Sequence, residues 1–281
     1  MKTPGIEAKS HSHIEAFQLQ KLKETFAYVS ERSPYYKRVF AARNIDVSLI
    51  ETIADFQKLP FTGKDDLQQQ NDEFFCVSKS DIIDYVTTSG TAGEPVTVGL
   101  TEKDLQRLAY NEAISLACSG ITKDDTVQLM TTVDRRFMAG LAYVIGLRKI
   151  GASTIRVGSG VPELQWDSIL KFEPTYLICV PSFLLKLVAF AAENNISINE
   201  TSVRAAICIG EPIRDENFKL NTLGQKITKA WDIELFSTYA STEMQTAFNE
   251  CNVKQGGHLH PELIFAEILD ENNMPVSEGN I

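Results

Sequence analysis

Between Thr87 and Pro95 the chain reads Thr-Thr-Ser-Gly-Thr-Ala-Gly-Glu-Pro, with four hydroxyl side chains and two glycines in its first seven residues. Glycine lets a backbone fold back and bring N–H groups close to an anion, and the hydroxyls add donors. That chemistry suits a polyphosphate. The run is not a Walker A loop, because the G-x-x-x-x-G-K-[ST] spacing and its lysine are missing and a strand follows instead of a helix. The same residues also suit a plain glycine-rich hairpin turn.

Two further groups sit after expected strands. Tyr239-Ala240-Ser241-Thr242-Glu243 follows a strand expected over residues 234–237. At the carboxyl end of a strand in an open α/β sheet, a tyrosine can stack on a flat base and a glutamate can hold Mg²⁺ against phosphate oxygens. The ligand-free reading makes Ser241 a helix N-cap with Glu243 in the first turn. Gly210-Glu211-Pro212 follows the apolar run 205–209, and it also suits an ordinary strand-exit turn. Cys251, His258 and His260 could ligate zinc with a fourth ligand from elsewhere, such as Cys208. Phe137, after Asp134-Arg135-Arg136, would suit the wall of an aromatic-acid pocket or an ordinary helix start.

These groups need elements to hold them. Leu19, Leu22, Phe26 and Val29 recur at helical steps, and Ser33-Pro34 stops that helix. A second helix is expected around residues 46–57, ending before Leu59-Pro60. Residues 1–80 therefore read as a helical section. From residue 81 the pattern changes to an α/β core. Strands are expected at 85–88 and 96–100, then a helix opening at Thr101 with Asp104 as its capping-box acid. Leu105, Leu108, Ala109, Ala113 and Leu116 supply that helix's buried stripe.

Further strands are expected at 127–130, 154–157, 176–180, 205–209 and 233–237. Helices are expected at 137–150 (closed by Gly151), 164–171, 182–194 (capped by Ser182) and 215–223. Short apolar strands alternating with helices predict a mostly parallel sheet covered on both faces. A last strand is expected at 264–269, followed by a turn at Asp270-Glu271-Asn272-Asn273. Gly279-Asn280-Ile281 reads as the start of another strand, so the core is expected to be incomplete at its C-terminal end.

Composition sets the boundaries. With 281 residues, 43% hydrophobic and 23% charged, the chain is an ordinary globular one, neither collagen-like nor disordered. Its net charge of −10 argues against sequence-independent binding to nucleic acid or anionic lipid. Five scattered cysteines without a CxxC point to reduced thiols and a cytoplasmic setting. The N-terminus lacks the apolar core of a signal peptide. The most apolar stretch, 176–192, is broken by Pro181 and Lys186, short of the about 20 residues of a membrane span.

Together, the small-residue loop, the strand leading to Gly210-Glu211-Pro212 and the Tyr239-x-x-Thr242-Glu243 group resemble the AMP-forming acyl-CoA ligases of the adenylate-forming superfamily. More narrowly, they resemble the phenylacetate–CoA ligase family. Supporting pieces run along the chain: Ser33-Pro34-Tyr35-Tyr36 and Phe40; Leu59-Pro60-Phe61-Thr62 with Lys64 and Asp66-Leu67; Ile178-Cys179-Val180-Pro181-Ser182; Glu250-Cys251; and Gly257-His258-Leu259-His260. The resemblance implies the large N-terminal α/β domain of such an enzyme, with mostly parallel sheets flanked by helices and the C-terminal lid domain missing.

The resemblance also implies a reaction. ATP and a carboxylate, phenylacetate or a related aryl acid, would give an acyl-adenylate and pyrophosphate. Coenzyme A would then take the acyl group and release AMP. Ser89, Gly90, Thr91, Ala92 and Gly93 would hold the ATP phosphates. Gly210, Glu211 and Pro212 would line the adenine, beside Tyr239, Ala240 and Ser241. Thr242 would contact the α-phosphate and Glu243 would bind Mg²⁺. Position 94 is Glu where the family more often has Lys. The family's ribose-binding aspartate and lid lysine would fall beyond Ile281, so the chain alone is expected to be inactive. A homodimer is compatible with this reading. The rival reading is a non-catalytic AMP- or ATP-binding module.

Overall fold

In the computed structural model, residues 4–88 and 93–276 are described. They fall into two compact units, one formed by Leu100–Leu259 and the other by the described parts of Thr3–Gly99 and His260–Ile281. The boundary at residue 80 marks where strands begin along the chain, whereas the compact units divide at other positions.

In the second unit, Ser33-Pro34 ends one helix and starts the next. Helix α1 (His11–Arg32) stops there, and α2 (Pro34–Ala42) begins with proline at its first position, where no N–H is needed. The Ser33 hydroxyl accepts from Tyr36 N–H at 3.3 Å and donates to the Glu73 carbonyl at 2.9 Å. Aromatic rings fill the space between these segments: Phe26 lies 5.1 Å from Phe56, and Tyr35 stacks on Phe74 at 4.2 Å.

The single helix expected over 46–57 is instead two 3₁₀ turns, Val47–Leu49 and Ile53–Lys58. Each has its own acidic cap. Asp46 accepts from Ser48 N–H, and Asp55 accepts from the N–H groups of Glu51 and Thr52. Two competing caps so close together divide the segment. A short α3 (Lys64–Gln69) follows, then the paired strands β1 (Asp84–Thr87) and β2 (Thr97–Leu100). The strand expected over 264–269 is reduced to an isolated bridge between Leu269 and Pro275. It spans a turn in which Asp270 accepts from Asn272 and Met274 N–H groups.

The Leu100–Leu259 unit contains helices α4 (Glu102–Cys118), α5 (Met138–Ile150), α6 (Pro162–Phe172), α7 (Pro181–Glu193) and α8 (Thr222–Ala230). Its strands are β3 (Thr126–Leu129), β4 (Ser153–Arg156), β5 (Tyr176–Cys179), β6 (Ala205–Cys208), β7 (Glu234–Ser241), β8 (Thr246–Glu250) and β9 (Gly257–His258). They form one sheet in the order β4-β3-β5-β6-β7-β8-β9. The first four pairings are parallel and the last two antiparallel. The expected α/β fold with a mostly parallel, helix-flanked sheet is therefore present.

Both faces of the central strands are apolar because both are covered. Leu177 and Cys179 of β5 pack into a core with Trp166, Leu184, Leu187, Ile227 and Trp231. Tyr176 and Ile178, pointing the other way, pack with Leu116, Tyr143 and Leu147. The rings of Trp166 and Trp231 stack at 5.4 Å, and Trp166 Nε1 donates to the Leu187 carbonyl at 3.0 Å.

The capping box at Thr101 and Asp104 forms as expected, and Gly151 closes α5 with φ of 91°. Two expectations fail here. Pro181, not a Ser182 cap, starts α7. The helix expected over 215–223 is a tight loop, because Asp215 accepts from Asn217 and Lys219 N–H groups at 2.9 Å each. The helix starts only at Thr222, with Asn221 capping Gly224 N–H.

One buried acid lies between α4 and α5. Glu112 is buried against Gly146, where any side chain would collide with it, and Asn111 Nδ2 donates to it at 3.1 Å. Burial pushes its carboxyl up to about 8. An acid raised in the folded state binds its proton more tightly there than in the unfolded chain. Stability from this group is therefore complete at acid pH and falls as pH rises from the usual carboxylate range through about 8. Chemical unfolding at pH 5 and pH 8 is expected to show this loss in the wild type. Glu112→Gln, permanently neutral, should reduce it; an unchanged pH slope would contradict the assignment.

Candidate functional site

Strands β3, β5, β6 and β7 lie side by side and run parallel, so the segments that follow them leave from one edge of the sheet. After β5 comes Val180-Pro181-Ser182, and after β6 Ile209-Gly210-Glu211-Pro212. Segment 130–137, ending at Phe137, follows β3. Three of the sequence-derived groups thus share one edge, where open α/β sheets bind ligands.

At Gly210 the chain turns with φ of 76°, a conformation that favours glycine. Gly210 and Pro212 are exposed. The Glu211 carboxylate is committed elsewhere: one oxygen accepts from Ser182 N–H and the other from Ser182 Oγ, both at 2.9 Å. Its charge therefore sits at the N-terminus of α7, where free N–H groups favour an anion. What remains for a ligand here is the exposed backbone surface of Gly210 and Pro212.

Tyr239-Ala240-Ser241-Thr242-Glu243 differs from expectation. Strand β7 does not end at Ser237 but runs to Ser241 and turns back as a hairpin into β8, pairing Tyr239 with Phe248 and Ser241 with Thr246. Ser241 caps the turn by accepting from Met244 N–H at 3.2 Å. Tyr239 is 66% exposed, and its ring stacks on Phe248 at 6.1 Å. That backing fixes one ring face and leaves the ring accessible to a planar ligand. Thr242 is half-buried. Glu243 is exposed, and no ion pair ties its carboxylate among the described residues.

A polar ladder on α4 holds this hairpin. Arg107, Asn111, Ser115 and Ser119 recur every four residues, on one helix face. Arg107 donates to the Gln245 carbonyl at 2.6 Å. Asn111 Oδ1 accepts from Thr246 Oγ1 at 2.6 Å and Ala247 N–H at 3.4 Å. Ser115 donates to the Ala247 carbonyl, and Ser119 to the Glu250 carbonyl. Asn249 Nδ2 returns bonds to the Ser115 carbonyl and to Ser119 Oγ. At the hairpin's base, buried Glu250 pairs with Arg214 at 2.6 Å and accepts from Ser237 N–H at 2.9 Å. The apolar-stripe reading of α4 missed this ladder, although its step of four was visible in the sequence.

The small-residue loop belongs to the other unit, and Ser89, Gly90, Thr91 and Ala92 lie outside the described residues. On either side, Thr88 and Val96 exchange two hydrogen bonds of 3.0 Å. Gly93 has φ of 130°, and Gln68 Nε2 donates to the Glu94 carbonyl. Phe137 is 37% exposed at the N-cap of α5, directly after Arg135 and Arg136, both with positive φ.

The zinc expectation is not supported. Cys251 Sγ accepts from Val253 N–H at 3.4 Å, His258 is exposed on β9, and His260 is buried with Nδ1 on Glu7. The group of potential metal ligands found among the described residues contains neither Cys251 nor His258.

The edge of a mostly parallel sheet, a glycine exit and an exposed tyrosine hairpin together make an open α/β protein with a candidate ligand edge. Residues 27–280 match the family model described as AMP-binding enzyme, and the chain belongs to that family. Among its relatives are phenylacetate-coenzyme A ligases of Thermus thermophilus, 27% identical over all of this chain and 63% of that protein, and of Aromatoleum evansii, 28% identical over all of this chain and 66% of that one. A solved structure of 2-hydroxyisobutyryl-CoA ligase in complex with 2-HIB-AMP and CoA superposes with a TM-score of 0.86 at 20% identity, covering all of this chain and 64% of that one. The chain thus spans a little under two thirds of the Thermus relative's length.

Proposed function

We propose that this chain is the nucleotide- and acid-binding part of an AMP-forming acid–CoA ligase, with phenylacetate or a related aryl acid as substrate. The observation that carries the reading is the Tyr239–Glu243 hairpin, beside the Gly210-Glu211-Pro212 exit on the neighbouring strand. Phenylacetate-CoA ligases that match the whole chain support it.

In this reading Tyr239 stacks on adenine beside the backbone of residues 210–212, and Thr242 meets the α-phosphate. Ser89, Gly90, Thr91 and Gly93 bind the phosphate tail, and Phe137 forms part of the wall for the acid. The substrate carboxylate attacks the α-phosphorus and pyrophosphate leaves. The coenzyme A thiolate then attacks the acyl carbon and AMP leaves. Holding partners in line and offsetting phosphate charge are the main tasks of such a site. Mg²⁺, when bound, neutralises phosphate charge. Exposed Glu243, with no ion pair among the described residues, suits a hard cation with oxygen ligands. The five free thiols support a reducing, cytoplasmic setting. Among the described residues no helix is long and apolar enough to cross a membrane.

Glu243→Gln tests the metal assignment. ATP affinity measured across a Mg²⁺ titration should fall severalfold in the variant at saturating Mg²⁺, roughly the loss of one charge-assisted contact. Adenosine affinity should stay the same. An identical Mg²⁺ response in variant and wild type would remove Glu243 from the metal site.

A further inference from the structure

The limb that leaves the small-residue loop, Gly93 to Thr97, is held by α3 and by the 3₁₀ turn after it, Asn71–Phe74. All of these residues belong to the same compact unit. Gln68 of α3 is half-buried, and its Nε2 donates to the Glu94 carbonyl. The same amide packs on Gly93: a Cβ added there would lie 2.9 Å from Gln68 Nε2 and 3.1 Å from its Oε1. Gly93 also has φ of 130°, so glycine is needed both for the backbone and to admit Gln68. Three residues on, Asn71 clamps Thr97 at two points, its Oδ1 accepting from the N–H at 2.9 Å and its Nδ2 donating to the carbonyl at 3.0 Å. Asn71 thus acts on β2 itself. Gln68 acts nearer the loop, on residues that lie outside the strand.

We propose that Gln68 is a positioning residue for phosphate binding: its amide fixes the Gly93–Glu94 backbone, on which the placement of the loop's donors depends. The inference rests on the reading of residues 89–93 as the grip for the ATP phosphates. No Lys or Arg occurs between residues 80 and 102, and Glu94 adds a carboxylate. What this segment offers a polyphosphate is therefore backbone N–H groups and hydroxyls. Neutral donors of that kind work by being aimed in advance, and a small misplacement costs much of their effect. A glutamine suits the task of aiming them. Its amide reaches a backbone carbonyl, and it brings no charge that would attract or repel the phosphates.

The test is calorimetric titration of the 281-residue chain with ATP and with adenosine at saturating Mg²⁺. Gln68→Met keeps the length of the side chain and removes its donor; Gln68→Ala removes both. Each should weaken ATP about three- to tenfold, the loss of one hydrogen bond, and leave adenosine unchanged. Arg38→Met breaks the 2.8 Å pair with Glu73 in the same unit, away from the loop, and controls for general loosening. It should keep the wild-type ratio of ATP to adenosine affinity, whatever it does to the thermal midpoint. If the wild type binds ATP no more tightly than adenosine, the reading of the loop as a phosphate grip falls and the proposal falls with it. If the wild type prefers ATP and both Gln68 variants keep that preference, or Arg38→Met loses it equally, the proposal alone is overturned.

Discussion

Glu250→Ala is expected to destabilise the Leu100–Leu259 unit by about 3–5 kcal/mol, the usual cost of removing one partner of a buried ion pair. The side chains of Arg214 and Glu250 are 10% and 3% exposed, so neither charge is well solvated by water. Arg214 also donates to the Leu235 carbonyl at 3.1 Å, and Glu250 also holds Ser237 N–H. Removing the carboxylate leaves a guanidinium and a backbone N–H buried without their acceptor. Urea unfolding of variant and wild type checks the magnitude. Arg214→Met combined with Glu250→Met should recover much of the loss, because it removes both charges and fills the space. A loss below about 1 kcal/mol in the single variant, typical of exposed pairs, would show that the pair is solvated.

The same pair shows where the sequence was readable and where it was not. Glu250 entered only as part of a motif resemblance, next to Cys251, with no partner in view. Its partner lies 36 residues earlier, directly before a segment expected to be helical and folded instead as an Asp215-capped loop. Local signals were legible where one interaction dominates: the Thr101–Asp104 capping box, the Gly151 terminus and the alternating apolar strands. They failed where two local signals compete, as with the Asp46 and Asp55 caps. They failed again where tertiary contacts override propensity. Residues 238–241 remain in the sheet because β8 pairs with them and the polar stripe of α4 holds β8, and Asn111 of that stripe lies 135 residues from its partner Thr246 in the sequence.

Glu211 makes a similar point. The motif placed it at an adenine wall by type and order, whereas its carboxylate grips Ser182 across a neighbouring strand end. Residue order along the chain places these residues at a strand end but does not say which of their atoms remain free.

The central claim is that the hairpin presents Tyr239 to the base of a nucleotide. Calorimetric titration of the 281-residue chain with ATP and with adenosine, in wild type and Tyr239→Ala, tests it directly. Stacking of a base on an aromatic ring is worth about 1–3 kcal/mol, or roughly a five- to hundredfold change in affinity. Wild type should bind both ligands, ATP more tightly. Tyr239→Ala should weaken both by the same factor, because the base is common to them and the phosphates are not. Equal affinity in variant and wild type, or no nucleotide binding by the wild-type chain, would contradict the account.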